Sequence, residues 1–165
     1  MENQNKCCFT GHRTLEGDFN KDKLYLTLET LYTKRGIDTF ICGGAVGFDM
    51  EVAFQVLSLK RKHENVKLWL FLPCLNQDAR WSYQDKMYYK YLLEHADFVD
   101  CPNTPYNKDV MKIRNYKMVD NSGMCVCYFK GHMISGTAQT IRYARKRGVK
   151  IYNLASEGQA IIEKI

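Results

Sequence analysis

Short apolar runs punctuate the chain at residues 7–10, 39–42, 68–72, 98–99, 124–129 and 151–154, each bounded by Gly, Pro, Asn or Asp. Several are apolar at consecutive positions rather than alternating. That is the pattern of strands covered on both faces, and so of a parallel sheet sandwiched between helices. Between the runs lie segments with apolar residues at helical spacing: Leu24, Leu28, Leu31 and Tyr32 in the first, and Met50, Ala53, Phe54 and Leu57 in the second. Each reads as a helix with one core-facing stripe. Further helices are expected over 82–96, 109–119 and 137–147, with a short last one over 156–165. Strict alternation of strand and helix predicts βαβ units with right-handed crossovers. The expected fold class is α/β: a doubly wound, mostly parallel sheet of about six strands, helices on both faces, strand order 4-3-2-1-5-6 and a crevice between the first and fifth strands.

Composition narrows the class without changing it. A chain of 165 residues fits one domain, taken here as 1–165. Its 45% hydrophobic and 25% charged residues exclude disordered, collagen-like and coiled-coil classes. The seven cysteines are odd in number, and Cys7, Cys8, Cys42, Cys125 and Cys127 fall inside strand-like runs, so they read as reduced core residues. Cys125 and Cys127 share a face, yet no Cys/His spacing completes a metal site, and no metal role is expected. A short polar start and the lack of an apolar run near ~20 residues predict a cytoplasmic protein without a membrane span.

The net charge of +6 invites a nucleic-acid reading. Position argues against it, because Lys60, Arg61, Lys62 and His63 end the second helix and Arg142, Arg145, Lys146 and Arg147 end the fifth. Cations there complement the helix dipole. Lys108, Lys112, Arg114, Tyr116 and Lys117 come nearest to the interleaved basic and aromatic stripe that a single-stranded site requires.

In an open α/β sheet, ligands bind outside the carboxyl ends of the strands where strand order reverses. Three strand-to-helix loops there carry glycine: Thr10-Gly11-His12-Arg13, then Gly43-Gly44-Ala45-Val46-Gly47-Phe48-Asp49, then Ser135-Gly136-Thr137. In the second, three glycines within five residues allow close backbone approach to a ligand, and the helix that follows offers unpaired N–H groups to an anion. A tight turn needing positive φ explains the same residues. Thr137 reads as an N-cap, a ligand contact, or both.

Arg13 and Arg114 are candidate clamps, since an Arg fork meets phosphate oxygens in bidentate fashion; the alternative is surface ion pairing. His12 either donates to a phosphate or packs. Asp49, in the first turn of its helix, suits ribose hydroxyls or loop support. Asn115 reads a base edge or ties loops together. Trp81 either stacks on a base or serves as a lid over the core.

Together these loops resemble the YpsA-like branch of the superfamily that also contains DprA and the Lonely Guy (LOG) phosphoribohydrolases. The matching pieces are Thr10-Gly11-His12-Arg13, Gly43-Gly44-Ala45 with Gly47-Phe48-Asp49, Pro73 with Gln77 and Trp81, Ala96-Asp97, Arg114-Asn115 with Met118-Val119-Asp120, and Gly136-Thr137. The resemblance implies a Rossmann-like fold and a pocket for a nucleotide or nucleotide-derived small molecule, held by a binding or sensor protein. It also brings two alternatives: a nucleoside 5′-monophosphate phosphoribohydrolase and a DprA-like single-stranded DNA-binding module. The chain departs from the pattern at Ser135, where a first glycine is expected, and at Thr140, where LOG enzymes carry a glutamate. No cofactor is implied beyond the nucleotide-like ligand, and a homo-oligomer is left open.

Overall fold

The computed structural model describes residues 2–131 and 133–155. Five helices and six strands alternate: β1 (Lys6–Gly11), α1 (Lys21–Arg35), β2 (Thr39–Cys42), α2 (Phe48–Lys62), β3 (Lys67–Phe71), α3 (Tyr83–His95), β4 (Phe98–Asp100), α4 (Val110–Asp120), β5 (Met124–Tyr128), α5 (Gly136–Lys146) and β6 (Lys150–Asn153). The expected helix over 156–165 lies outside the described residues.

All neighbouring strands pair in parallel, in the order β4-β3-β2-β1-β5-β6. The chain therefore winds outward from β1 to β4, returns across the sheet and completes it with β5 and β6. The sense of progression reverses between β1 and β5, where no loop bridges the carboxyl ends and a crevice must open.

Burial explains the two layers. Odd positions of β1 (Cys7, Phe9), with Phe40, Leu68, Leu70 and Val126, pack against Leu24, Leu28 and Leu31 of α1, Val52, Val56 and Leu59 of α2, and Leu92 of α3. The opposite face, with Cys8, Ile41, Phe71 and Cys125, meets Met118 and Val119 of α4 and Ala144 of α5. Central strands buried on both sides have no use for polar alternation, which is why their sequences read as continuous apolar runs. Six of the seven cysteines are buried, Cys101 is exposed, and all are free thiols.

One stripe differs from expectation. In α2 the fully buried positions are Phe48, Val52, Ala53, Val56 and Leu59, whereas Phe54 and Leu57 sit half-buried on its outer flank. A two-layer cover places α2 beside α3 as well as on the sheet, so its apolar arc is wider than a single core contact requires.

Helix starts follow local chemistry. The Asn20 side chain accepts from Lys23 N at 2.9 Å, and Ser82 and Asp85 form a reciprocal cap at α3, Oγ accepting from Asp85 N at 3.1 Å and donating to Asp85 Oδ2 at 2.8 Å. Among the described residues no helix is long and apolar enough to cross a membrane.

Candidate functional site

A cavity of about 380 Å³ opens at the β1/β5 reversal. Phe9, Thr10, Gly11, His12 and Arg13 bring the end of β1 to it, and Ala45 and Asp49 come from the start of α2. Met111, Arg114 and Asn115 reach it from α4, and Ser135, Gly136 and Thr137 from the start of α5. Its size falls at the lower end of small-molecule sites.

The loop between β2 and α2 supports this cavity from behind. Gly47 has φ +93°, and a Cβ there would collide with the Arg13 carbonyl oxygen, so the turn requires glycine for both conformation and space. Phe48 N donates to His12 O at 3.1 Å, stitching the β1 loop to the β2 loop. The α2 amides are largely engaged by the chain itself, with Met50 N donating to Ala45 O and Glu51 N to Gly47 O. The anion beside this loop is also internal: Asp49 Oδ2 accepts from Ala45 N at 3.4 Å.

Arg114 is buried, 7% exposed, and its fork is spent largely on the protein. Nη1 donates to Gly43 O at 2.7 Å and Phe71 O at 3.3 Å, and Nε donates to Asn115 Oδ1 at 2.7 Å. It thereby ties the carboxyl ends of β2 and β3 to α4. Gly43 is small for this reason, since a Cβ would fall on the guanidinium and within 2.7 Å of Asp49 Oδ2. Gln77 Nε2 completes the tie, donating to Gly43 O at 3.2 Å and to Tyr89 Oη at 3.0 Å. Burial pushes the Tyr89 phenol up to about 12, so it stays protonated.

Asp49 and Arg114 form the electrostatic centre. Burial pushes the Asp49 carboxyl above the ordinary carboxylate range, opposed by the Arg114 guanidinium, the Ala45 N–H and Arg13. Burial likewise pulls Arg114 below the usual guanidinium range, and Asp49 opposes it. Each charge opposes the desolvation of the other, and the Asp49 carboxyl also feels the Ala45 and Gly43 N–H groups.

The opposite wall is built differently. Ser135 caps α5, its Oγ accepting from Ala138 N at 3.1 Å. A Cβ on Gly136 would meet only Asn115 Nδ2, at 3.9 Å. Arg13 is exposed at the mouth. His12 spans both walls, its Nε2 accepting from Lys130 N at 3.3 Å and its ring lying edge-on to Tyr128 with centroids 6.3 Å apart.

The structure thus brings Gly11, His12, Arg13, Ala45, Asp49, Arg114, Asn115, Ser135, Gly136 and Thr137 onto one cavity. It does not bring Gly43, Gly44 or Gly47 to the wall. Gly44 faces Tyr89, Gln77 and Leu72, and the other two make room for Arg114 and for Arg13, so these glycines serve the protein's own packing. Trp81 also lies off the wall, edge-on to Tyr89 at 5.1 Å over the core. Thr10, which opens the first loop motif, lines the cavity too, and Phe9 and Met111 are lining residues that the loop motifs missed. Met111 was accessible to reasoning, because it stands three and four residues before Arg114 and Asn115 on one helix face. Among the described residues no group of three or more His, Cys, Asp or Glu side chains is placed to hold a metal.

Comparison with known proteins places the chain. The family model of the YspA SLOG family, YpsA, matches residues 7–157. The chain belongs to this SLOG family. It is 34% identical over 139 residues to the uncharacterized SPbeta prophage-derived protein YoqJ of Bacillus subtilis, covering 76% of this chain and 80% of YoqJ. It is 25% identical over 142 residues to a UPF0398 protein of Bacillus cereus, covering 82% of this chain and 77% of that relative. Among solved structures, the DNA processing protein A (DprA) of Streptococcus pneumoniae superposes with TM-score 0.64 at 16% identity, covering 90% of this chain and 49% of that one. The Helicobacter pylori DprA, described for its single-stranded DNA binding mode, gives TM-score 0.66 at 16% identity, with 92% and 65% covered. The SLOG chain described here spans about half to two-thirds of those DprA chains, and the likeness extends to the Rossmann-like fold.

Proposed function

We propose that this SLOG protein binds a nucleotide or nucleotide-derived small molecule in the β1/β5 cavity, as a binding or sensor protein. The observation that carries the reading is the polarity of the cavity. One wall offers the start of α5, where the first-turn amides and the positive dipole end favour phosphate. Arg13 adds exposed positive charge at the mouth. The other wall offers the buried carboxyl of Asp49, its charge offset by Arg114, as an acceptor for sugar hydroxyls. A ligand with an anionic end and a hydroxyl-bearing end fits that gradient in one direction only. Calorimetric titration with mono-, di- and cyclic nucleotides and ADP-ribose derivatives tests it. Saturable binding of at least one, weakened in Arg13→Ala and Asp49→Asn, is expected; no heat from any of them overturns the proposal.

A second reading, cleavage of a nucleoside 5′-monophosphate, is favoured by the raised carboxyl of Asp49 within the cavity. The position of the LOG glutamate speaks against it, because Thr140 is buried and its Oγ1 donates to Gly136 O at 2.8 Å within α5. Asp120 of the Met118-Val119-Asp120 motif does not supply the missing carboxylate, since it lies outside the cavity, bonded to Tyr143 Oη at 3.0 Å and paired with Arg147. Free base released on incubation supports this reading; binding without release returns the case to the first. A DprA-like DNA role predicts retention of single-stranded oligonucleotides with a steep salt dependence.

A further inference from the structure

Away from the cavity, the seam between α2 and α3 carries an aromatic row that the core does not absorb. Phe54 stacks on Tyr91 at 5.9 Å and meets Tyr88 edge-on at 5.6 Å, and Tyr91 stacks in turn on His95 at 3.9 Å. Tyr88, Tyr91 and Met87 are each 45% exposed and Tyr83 79%. Three depressions of about 410, 390 and 400 Å³ run end to end along the seam, sharing Phe54, Tyr88 and Tyr91. Contiguous apolar surface of this kind marks an interaction site rather than ordinary surface scatter.

The charges say what fits it. The charged residues lining the depression at the α3 start are Asp85, Glu51 and Lys21, and those at the α3 end are Lys60, Arg61 and His95. Glu51 is paired with Lys21, and Lys60 with Asp97. Among the described residues Asp85 and Arg61 have no opposite charge within ion-pair distance; Asp85 holds Ser82 Oγ, and Arg61 Nη2 donates to Ser58 Oγ at 3.4 Å. The surface is thus acidic at one end, basic at the other and aromatic between. Turned through a half rotation it complements itself, which is the requirement of an isologous two-fold interface.

We propose that the occupant of this seam is a second copy of the same chain. The α3 helices lie antiparallel with the Tyr88–Phe54–Tyr91 rows in contact, and Asp85 of each copy faces Arg61 of the other. At 13 residues α3 is about 20 Å long, and two helices side by side give a footprint of roughly 20 by 20 Å, small for a permanent interface. The dimer is therefore reversible and concentration-dependent. It leaves the β1/β5 cavity open and does not depend on the ligand reading.

Sedimentation equilibrium of the full chain, from low micromolar to several hundred micromolar, tests the proposal. A monomer–dimer equilibrium is expected. Asp85→Arg and Arg61→Asp should each raise the dissociation constant roughly tenfold by setting like charges face to face at both symmetric contacts. The double variant Asp85→Arg/Arg61→Asp should restore the original value. Arg61 is exposed and Asp85 half-buried; the Ser82 Oγ cap on Asp85 N does not need the carboxylate, and circular dichroism of each variant should match the parent. A monomer at every concentration overturns the inference, as does a dimer indifferent to the single reversals or one that the double reversal fails to restore.

Discussion

The loop from β2 into α2 and the loop from β5 into α5 carry nearly the same signature, glycines and small residues at the junction of a strand with a helix, yet the two are built to opposite ends. The first is closed upon itself. Its carbonyl at Gly43 receives hydrogen bonds from Arg114 and Gln77, Gly47 makes room for the Arg13 carbonyl, and its anion, Asp49, is part of the chain. The second keeps room: nothing but Asn115 Nδ2 approaches the space beside Gly136. Glycine in one admits the protein's own atoms and in the other leaves space for something else. A cavity needs both, because a ligand wall that is free to receive must be opposed by one that does not move.

The largest effect expected from this difference is on Arg114. Arg114→Ala removes the buried donor to Gly43 O and Phe71 O and leaves a void where the guanidinium stood, changes that together cost about 3–5 kcal/mol. Urea unfolding should show that loss with no ligand present. Arg114→Lys keeps the charge and forfeits the fork, and should recover roughly half of it. If Arg114→Ala unfolds like the parent and only ligand binding suffers, the closed character assigned to the β2 loop is mistaken.

Next comes Gly47→Ala. The residue sits at φ +93°, and the new methyl would overlap the Arg13 carbonyl, so both strain and displacement apply. A loss of about 2–4 kcal/mol is expected in thermal or denaturant unfolding. Because the displaced atom belongs to the β1 loop, cavity binding should fall in parallel.

Asp49 gives a subtler test, through pH. Its folded carboxyl is held above the ordinary carboxylate range by burial, so between the unfolded and folded titrations the folded chain binds the more protons. Stability must then fall as pH rises from the unfolded value through the folded one, and remain lowered above it. In Asp49→Asn that component is absent. The difference in unfolding free energy between parent and variant should decline as pH is raised across that window, and a difference flat with pH would mean that burial does not perturb Asp49.

Much of this was legible in the chain. The six strands and the five described helices follow from apolar runs and helical spacing, because buried parallel strands leave a continuous apolar signal, and the order β4-β3-β2-β1-β5-β6 agrees with the expected one although neither signal dictates it. The family follows from the loop motifs. What the chain did not disclose is what each glycine makes room for. Gly43 and Gly136 look alike along the sequence; only the arrival of Arg114, 71 residues away, separates them. Arg114 itself reads as a phosphate clamp until the carbonyls of β2 and β3 are seen to engage it. The outer arc of α2 was hidden for a related reason, since spacing tells how wide an apolar face is and not how much of it α3 covers.

The smallest stability effect is the most discriminating. Gly136 occupies the first position of α5, its φ is not in the left-handed region, and an added Cβ would meet only Asn115 Nδ2 at 3.9 Å. Alanine also surrenders less backbone entropy than glycine on folding, so Gly136→Ala should change stability by no more than about 0.5 kcal/mol, in either direction. Yet that methyl sits on the cavity wall at the start of α5, where a bound phosphate would approach the backbone most closely. Calorimetry should therefore find nucleotide affinity reduced while the unfolding midpoint stays in place. The opposite pattern, a destabilised chain with unchanged binding, would show that the β5 loop is packed for the protein's own sake, as the β2 loop is, and would remove the asymmetry on which the two-walled site rests.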